Sequence, residues 1–321
     1  MIEKILNQVL NNEKIDKKTA MALTELPQDE LTYGADKIRK HFCGNNFDIC
    51  AIINAKSGKC SEDCHFCAQS SRYHTANFQE YPLLNQEEIF KDAQYHQEKA
   101  LMRYGIVTSG KILNSDEIQA LCQSYKAISA KNPIHLCGSL GLLSHEDFSK
   151  LKKSGMSRYH NNLETSRSFF PNICTTHTYD EKIATIKAAQ KAGLEICSGG
   201  IIGMGETMEN RLDLAFTLRD LGIKSVPINI LNPIMGTPLE HNTPLSNKEI
   251  CRTVALFRFI LPQAVLRLAG GRGLLKDHGR DAFLSGANGA ISGDMLTTTG
   301  ISIAEDMAML KDLNYEVKPN E

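Results

Sequence analysis

No stretch of this chain stays apolar for the ~20 residues that a membrane-spanning helix needs, so no membrane protein of that kind is expected. The formal net charge is −1 with both signs interspersed. No basic face therefore recommends a nucleic acid, and no polybasic patch recommends anionic lipid. Met1 to Lys18 mixes Glu, Lys and Asn with scattered apolar residues, unlike a secretory signal. Low-complexity segments are missing, as is any linker that would divide the chain. What is present is a chain of 321 residues, 42% of them hydrophobic, enough to bury a sizeable core in one domain. Its ten cysteines, without a signal, argue for a reducing cytoplasm and for metal rather than disulfides.

Residues 1–42 read as a helical extension, with apolar residues at helical spacing over Ile2 to Leu10, Lys17 to Leu26 and Leu31 to Phe42. From residue 43 to 321, short β-like runs alternate with amphipathic helical ones. Strands are expected at Asp48 to Asn54, Leu101 to Thr108, Ile134 to Ser139, Arg158 to Leu163, Leu194 to Ile202, Ser225 to Leu231, Val265 to Ala269 and Asn288 to Gly293. Eight such alternations are the pattern of a parallel (β/α)8 barrel of the TIM type, within the α/β class; a doubly wound open sheet is the runner-up. Successive strand residues face opposite sides. One parity then gathers Cys50, Ile52, Asn54, Arg103, Gly105, Val107, His135, Cys137, His160, Asn162, Glu164, Glu195, Cys197, Gly199, Asn229 and Arg267. A merely structural barrel would fill those places with layers of Val, Ile and Leu. The interior therefore reads as a site.

The densest chemistry lies in Cys60-Ser61-Glu62-Asp63-Cys64-His65-Phe66-Cys67. Three thiols so spaced can face one centre from one loop, and thiolates select zinc, copper(I) or iron–sulfur clusters. A structural zinc site would want a fourth ligand, usually from a second Cys or His pair. His65, squeezed between Cys64 and Cys67, is the only local candidate, so the spacing points to a 4Fe–4S cube with one iron open.

This spacing resembles that of the radical S-adenosylmethionine (SAM) enzymes. The blocks around it resemble biotin synthases: Asn54 to Lys59, Ala68 to Tyr73, Tyr159 to Ser166, Cys197 to Thr207, Ser225 to Asn229 and Arg267 to Arg272. The likeness runs from about residue 35 to 300. It implies that Cys60, Cys64 and Cys67 hold the 4Fe–4S cluster, whose open iron chelates SAM. One electron then cleaves SAM to a 5′-deoxyadenosyl radical. Phe66, beside the adenine or simply packing the loop, Glu164 at the ribose, and Gly199, Gly200 and Gly203 along the fifth strand would meet the cofactor. Glu206 reads either as a SAM contact or as the first-turn acid of the next helix. Asn162 and Asn229 would hold the ureido ring of dethiobiotin, whose donors and acceptors an amide matches. His160 stands where a third amide is usual, and Thr297 and Thr298 match a loop that holds the substrate carboxylate.

Relatives of this kind carry a second, auxiliary 2Fe–2S cluster that gives up sulfur, held by cysteines on strands two, three and five and by an arginine on strand seven. Cys137, Cys197 and Arg267 match three of these, but Gly105 stands where the strand-two cysteine belongs. Cys50 on strand one, at interior parity, is the substitute. The expectation is a rearranged cluster, 2Fe–2S or a larger 4Fe type with an extra sulfide, held by Cys50, Cys137, Cys197 and Arg267, with a small Gly289 nearby making room. Dethiobiotin is then the substrate, reduced flavodoxin or ferredoxin the electron donor, an iron–sulfur assembly system or sulfide the resupply, and a homodimer the assembly. Cys43, Cys122, Cys174 and Cys251 read as packing, and His65 and His177 either as groups that tune the cluster or touch SAM or, more commonly, as exposed-loop histidines. Two other readings stay open: a radical SAM enzyme of another reaction, such as a mutase or maturation lyase, and a non-catalytic iron–sulfur carrier.

Overall fold

The computed structural model describes residues 1–75, 79–298 and 300–318. Three helices come first: α1 (Ile2–Leu10), α2 (Lys17–Leu23) and α3 (Gln28–Cys43). Then β1 (Asn46–Lys56), α4 (Gln86–Glu98), β2 (Arg103–Thr108), α5 (Ser115–Lys131), β3 (His135–Ser139), α6 (His145–Lys153), β4 (Met156–His160) and α7 (Tyr179–Lys191) alternate. They are followed by β5 (Glu195–Cys197), β6 (Gly200–Ile202), α8 (Met208–Asp220), β7 (Ser225–Ile230), α9 (Asn247–Ile260), β8 (Val265–Leu268), α10 (Arg280–Leu284) and β9 (Gly289–Ile291). The described chain closes with α11 (Ile303–Asp312) and β10 (Glu316–Val317).

The pairings between the named strands are all parallel, and β9 returns to β1, so the sheet closes on itself as an eight-strand (β/α)8 barrel in which β5 and β6 share one place. The open-sheet alternative is thereby excluded. Capping boxes set where most outer helices start. Asn85 with Glu88, Asn114 with Glu117, Thr178 with Glu181, Thr207 with Asn210, Ser246 with Glu249 and Ser302 with Glu305 each satisfy two orphan N–H groups. The box at Thr207 explains why α8 begins at Met208 rather than at Glu206.

The expected fifth strand, Leu194 to Ile202, is broken in two. Its neighbour β7 carries Pro227, which has no N–H to donate, and pairing skips from Cys197↔Ser225 to Gly200↔Ile228. The fourth strand also ends early, at His160. Beyond it Lys182 Nζ captures the Asn162 carbonyl at 3.0 Å and the Gly199 N–H donates to Asn162 Oδ1 at 3.1 Å.

The N-terminal helices pack on the barrel's outer helices. α3 lies so close to α9 that a Cβ on Gly34 would come within 2.7 Å of the Phe259 ring. Beyond the expected elements, β10 adds to the amino end of β1 outside the barrel, pairing Asn46↔Glu316 and Phe47↔Val317. No helix among the described residues is long and apolar enough to cross a membrane.

Candidate functional site

The barrel encloses a cavity of about 360 Å³ opening toward the carboxyl ends of the strands, the face on which such barrels carry their chemistry. Alternation along the strands delivers most of the expected set to it. Cys50, Ile52, Arg103, Gly105, Val107, Cys137, His160, Asn162, Glu164, Cys197, Asn229 and Arg267 all line it, with Phe66, Thr297 and Thr298 from loops. Asn54, His135, Glu195 and Gly199 do not. Asn54 donates to the Leu296 carbonyl at 3.1 Å and lies where a bulge shifts the register with β2. His135 and Glu195 open their strands at the amino end, and Gly199 falls in the break between β5 and β6.

Around the thiols runs a charged network that the sequence reading missed. Asp48, fully buried, takes Arg267 Nη2 at 2.8 Å and Arg103 Nε at 3.0 Å. Arg158, also lining the cavity, reaches Glu195 Oε2 through Nη2 at 2.7 Å. Burial raises the Asp48 pKa, but Arg267 and Arg103 overcome this and hold it at about 2. Three guanidiniums face two carboxylates here, leaving one positive charge over beside the sulfur atoms. Arg267 Nη1 donates to Cys50 Sγ at 3.2 Å, and to the Asp48 and Ala290 carbonyls.

The three interior thiols are not equivalent. Burial pushes Cys50 up to about 12 despite Arg267, and it raises Cys137 as well. At Cys197 burial acts the same way, yet the hydrogen bond and charge of His160, with Arg267 and Arg158, bring it down to about 6. Ser225 Oγ also donates to its sulfur at 3.3 Å. Gly105 is the register partner of Cys137, and a Cβ there would lie 3.8 Å from Cys137 Cβ. The strand-two position thus does face the thiols, and Gly105 leaves it without a ligand. Gly289 makes no room for a larger group: a Cβ there would meet Val265 at 2.8 Å and the Asp48 carbonyl at 2.9 Å, and it does not line the cavity.

Above this floor, Glu164 is held at φ 69°, a left-handed conformation uncommon outside glycine. Its carboxyl is buried, its pKa is raised by that burial, and Oε2 has no hydrogen-bond partner among the described residues. A buried acceptor left open costs on the order of 1–3 kcal/mol unless something else satisfies it, which fits the ribose hydroxyls expected there. Asn229 already donates to the Gly200 carbonyl at 3.1 Å and accepts from Gly270 N–H at 2.9 Å. Asn162 engages the Gly199 N–H through its amide oxygen.

Four residues expected to meet the cofactor do not line the cavity: Gly199, Gly200, Gly203 and Glu206. Gly203 answers to a positive φ of 98°, and the other two glycines to backbone crowding. A Cβ would meet the Pro227 carbonyl oxygen at 1.9 Å from Gly199 and that of Glu164 at 2.2 Å from Gly200. Glu206 is a loop organiser whose carboxylate accepts from Gly203 N–H at 2.8 Å, Met204 N–H at 2.7 Å and Arg211 Nε at 2.6 Å.

Cys60, Cys64 and Cys67 lie on the loop between β1 and α4, half-buried and free. The loop folds back on itself through Cys60 N–H to Gln69 O at 3.1 Å and Ser71 N–H to Cys60 O at 2.8 Å. Several bonds tie it to residues 173–177. His65 N–H donates to Ile173 O at 2.9 Å, Thr175 N–H to Asp63 Oδ1 at 2.9 Å, and His177 Nδ1 pairs with Glu62 Oε2 at 2.6 Å. His177 is therefore no exposed loop residue; it is 7% exposed. Cys174 is not mere packing either, since its sulfur stands 3.8 Å from that of Cys64. The Cys-x2-His spacing of Cys174 and His177 was the available signal.

Residues 55–218 match the radical SAM superfamily model and residues 227–316 match the Biotin and Thiamin Synthesis associated domain. The chain is 54% identical over 314 residues to the biotin synthase of Akkermansia muciniphila, covering 98% of each. To that of Brachyspira hyodysenteriae it is 52% identical, covering all of this chain and 96% of the other. Among solved structures it resembles methylornithine synthase (TM-score 0.84, 16% identity, 98% of each chain). It also resembles the FeFe-hydrogenase maturase from Carboxydothermus hydrogenoformans (TM-score 0.82, 17% identity, 98% of this chain and 78% of that one). At such identities these two speak for the fold alone. The full-length likeness above one half speaks for more, and with both domain matches it means that the chain belongs to the biotin synthase family of radical SAM enzymes.

Proposed function

We propose that this radical SAM sulfurtransferase converts dethiobiotin to biotin with sulfur from an auxiliary cluster at the barrel floor. The observation that carries the reading is the meeting of Cys50, Cys137 and Cys197, from three separate strands, with Arg267 in one cavity. A carrier of electrons or clusters has no use for such a second, walled-in set of thiols. Nor do mutases or maturation lyases account for a sequence more than half identical to biotin synthases.

When bound, a 4Fe–4S cube with SAM supplies a radical able to break unactivated C–H bonds, and the auxiliary cluster supplies sulfur. Cys60, Cys64 and Cys67 hold the cube. Phe66 walls the adenine side, and Glu164 Oε2 accepts from the ribose hydroxyls. Asn162, through its amide NH2, and Asn229, by sharing bonds it now makes to backbone, orient the ureido ring; His160 borders it, and Thr297 and Thr298 take the carboxylate. Cys50, Cys137 and Cys197 hold the auxiliary cluster, with Arg267 completing the set beside Cys50. The surplus positive charge of Arg103, Arg158 and Arg267 favours thiolates and an anionic cluster. Gly199, Gly200, Gly203 and Glu206 act on the cofactor only by shaping the backbone that carries Glu164 and Ile201.

Residues 1–42 serve as a helical extension and residues 43–321 as the catalytic unit. A cytoplasmic homodimer, reduced by flavodoxin or ferredoxin and resupplied by the iron–sulfur assembly system or sulfide, completes the reading. Anaerobic, reconstituted protein given dithionite, SAM and dethiobiotin should release deoxyadenosine and biotin. Deoxyadenosine without biotin would favour a different radical reaction, and neither product would leave only a carrier.

A further inference from the structure

Cys64, Cys174 and His177 present three ligand atoms that all lie within 4.8 Å of one another, Cys174 and His177 being buried and Cys64 half-buried. The thiolates of a tetrahedral zinc site, each about 2.3 Å from the metal, stand about 3.8 Å apart. Cys64 Sγ and Cys174 Sγ are 3.8 Å apart. His177 Nδ1 is 2.6 Å from Glu62 Oε2 and 3.3 Å from Cys174 Sγ, while Nε2, the farther nitrogen, lies 3.7 Å from that sulfur. A carboxylate that takes the proton-bearing nitrogen fixes the ring's tautomer and leaves the other nitrogen free, which is how metal-binding histidines are commonly oriented. Asp63, bonded to Thr175 and Thr176, holds the two segments together around this point.

We propose that Cys64, Cys174 and His177 form a site for one thiophilic divalent ion, zinc or ferrous iron, in the chain that has not yet received its cube. The binding half of this inference depends only on the geometry above. The other half rests on the proposed role of Cys64 in the cube: because both occupants need that thiolate, ion and cube exclude each other. The ion keeps the loop folded and Cys64 deprotonated and capped until iron and sulfide displace it, and excess zinc opposes cluster assembly.

The test uses the full-length, metal-free chain under anaerobic conditions with cobalt(II) as the probe. Thiolate-to-cobalt charge transfer and tetrahedral d–d absorption should appear. Cys174→Ala, Cys174→Ser and His177→Ala should each weaken the site by at least about tenfold, the effect of losing even an outer-shell partner. Cys60→Ala and Cys67→Ala should bind as the unaltered chain does, with circular dichroism confirming that every variant is folded. Unchanged binding in folded Cys174 variants, or losses only in Cys60 and Cys67 variants, would overturn the site. Reconstitution with iron and sulfide should release the cobalt as the cube's absorption grows; cobalt retained beside a complete cube overturns the shared ligand. A Cys64→Ala chain that still builds a complete cube would instead count against the cube assignment, leaving the ion site to stand on the cobalt data.

Discussion

Arg267 Nη1 points at Cys50 Sγ from 3.2 Å while Nη2 of the same guanidinium holds Asp48 Oδ1 at 2.8 Å. One arginine thus joins the thiol proposed to replace the missing strand-two ligand to the only carboxylate among the fully buried residues of β1. The floor of the cavity is organised by this junction.

Asp48→Ala would leave Arg267 and Arg103 buried without their counter-ion. Removing one partner of a buried pair typically costs about 3–5 kcal/mol. Denaturant unfolding of the cluster-free chain should show a loss of that size. A loss near zero would mean that the two arginines find other acceptors.

The same carboxylate sets an acid limit. Its folded pKa of about 2 lies below the ordinary value of 3.8. The group is depressed on folding, so its contribution is present above pH 3.8 and is lost as pH falls toward 2. That contribution amounts to about 2 kcal/mol. Acid titration of the cluster-free chain should show this component, and Asp48→Asn should lack it.

Glu164 carries the open acceptor beside the cavity. Glu164→Gln keeps the shape and removes the charge, and a hydrogen bond to a charged group contributes about 1.5–3 kcal/mol. Equilibrium binding of SAM to the reconstituted enzyme should weaken at least about tenfold, with the iron content unchanged. Equal affinity would remove Glu164 from the SAM contacts.

Much of this site was legible because parallel strands impose a strict two-residue period. Once Cys50 was set inward, Ile52 followed, and the same logic placed Cys137, His160, Cys197 and Arg267. Asp48 has the same parity, one step earlier, but an acid in a strand reads as solvent-facing until its cations on β2 and β8 are brought beside it. Arg158 stayed hidden likewise, since its partner Glu195 lies on the next strand.

Period is silent on loops and short returns. Cys174 and His177 meet Cys64 across 110 residues of sequence, by way of carboxylate bonds that no local pattern announces. β10 is two residues long, too short for any alternation. The glycines after Cys197 were visible, yet their cause, the Pro227 and Glu164 carbonyls pressed against them, belongs to neighbouring segments.

A sulfur source held partly by Cys50 is what the proposed sulfur insertion requires. Anaerobic Mössbauer spectroscopy with iron and sulfide counting, on the reconstituted chain and on Cys50→Ala, tests it directly. The unaltered chain should show two distinct clusters, and Cys50→Ala should keep the cube while losing most of the auxiliary iron and sulfide. Full auxiliary iron and sulfide in Cys50→Ala would contradict the ligand set and return Cys50 to the role of a buried thiol.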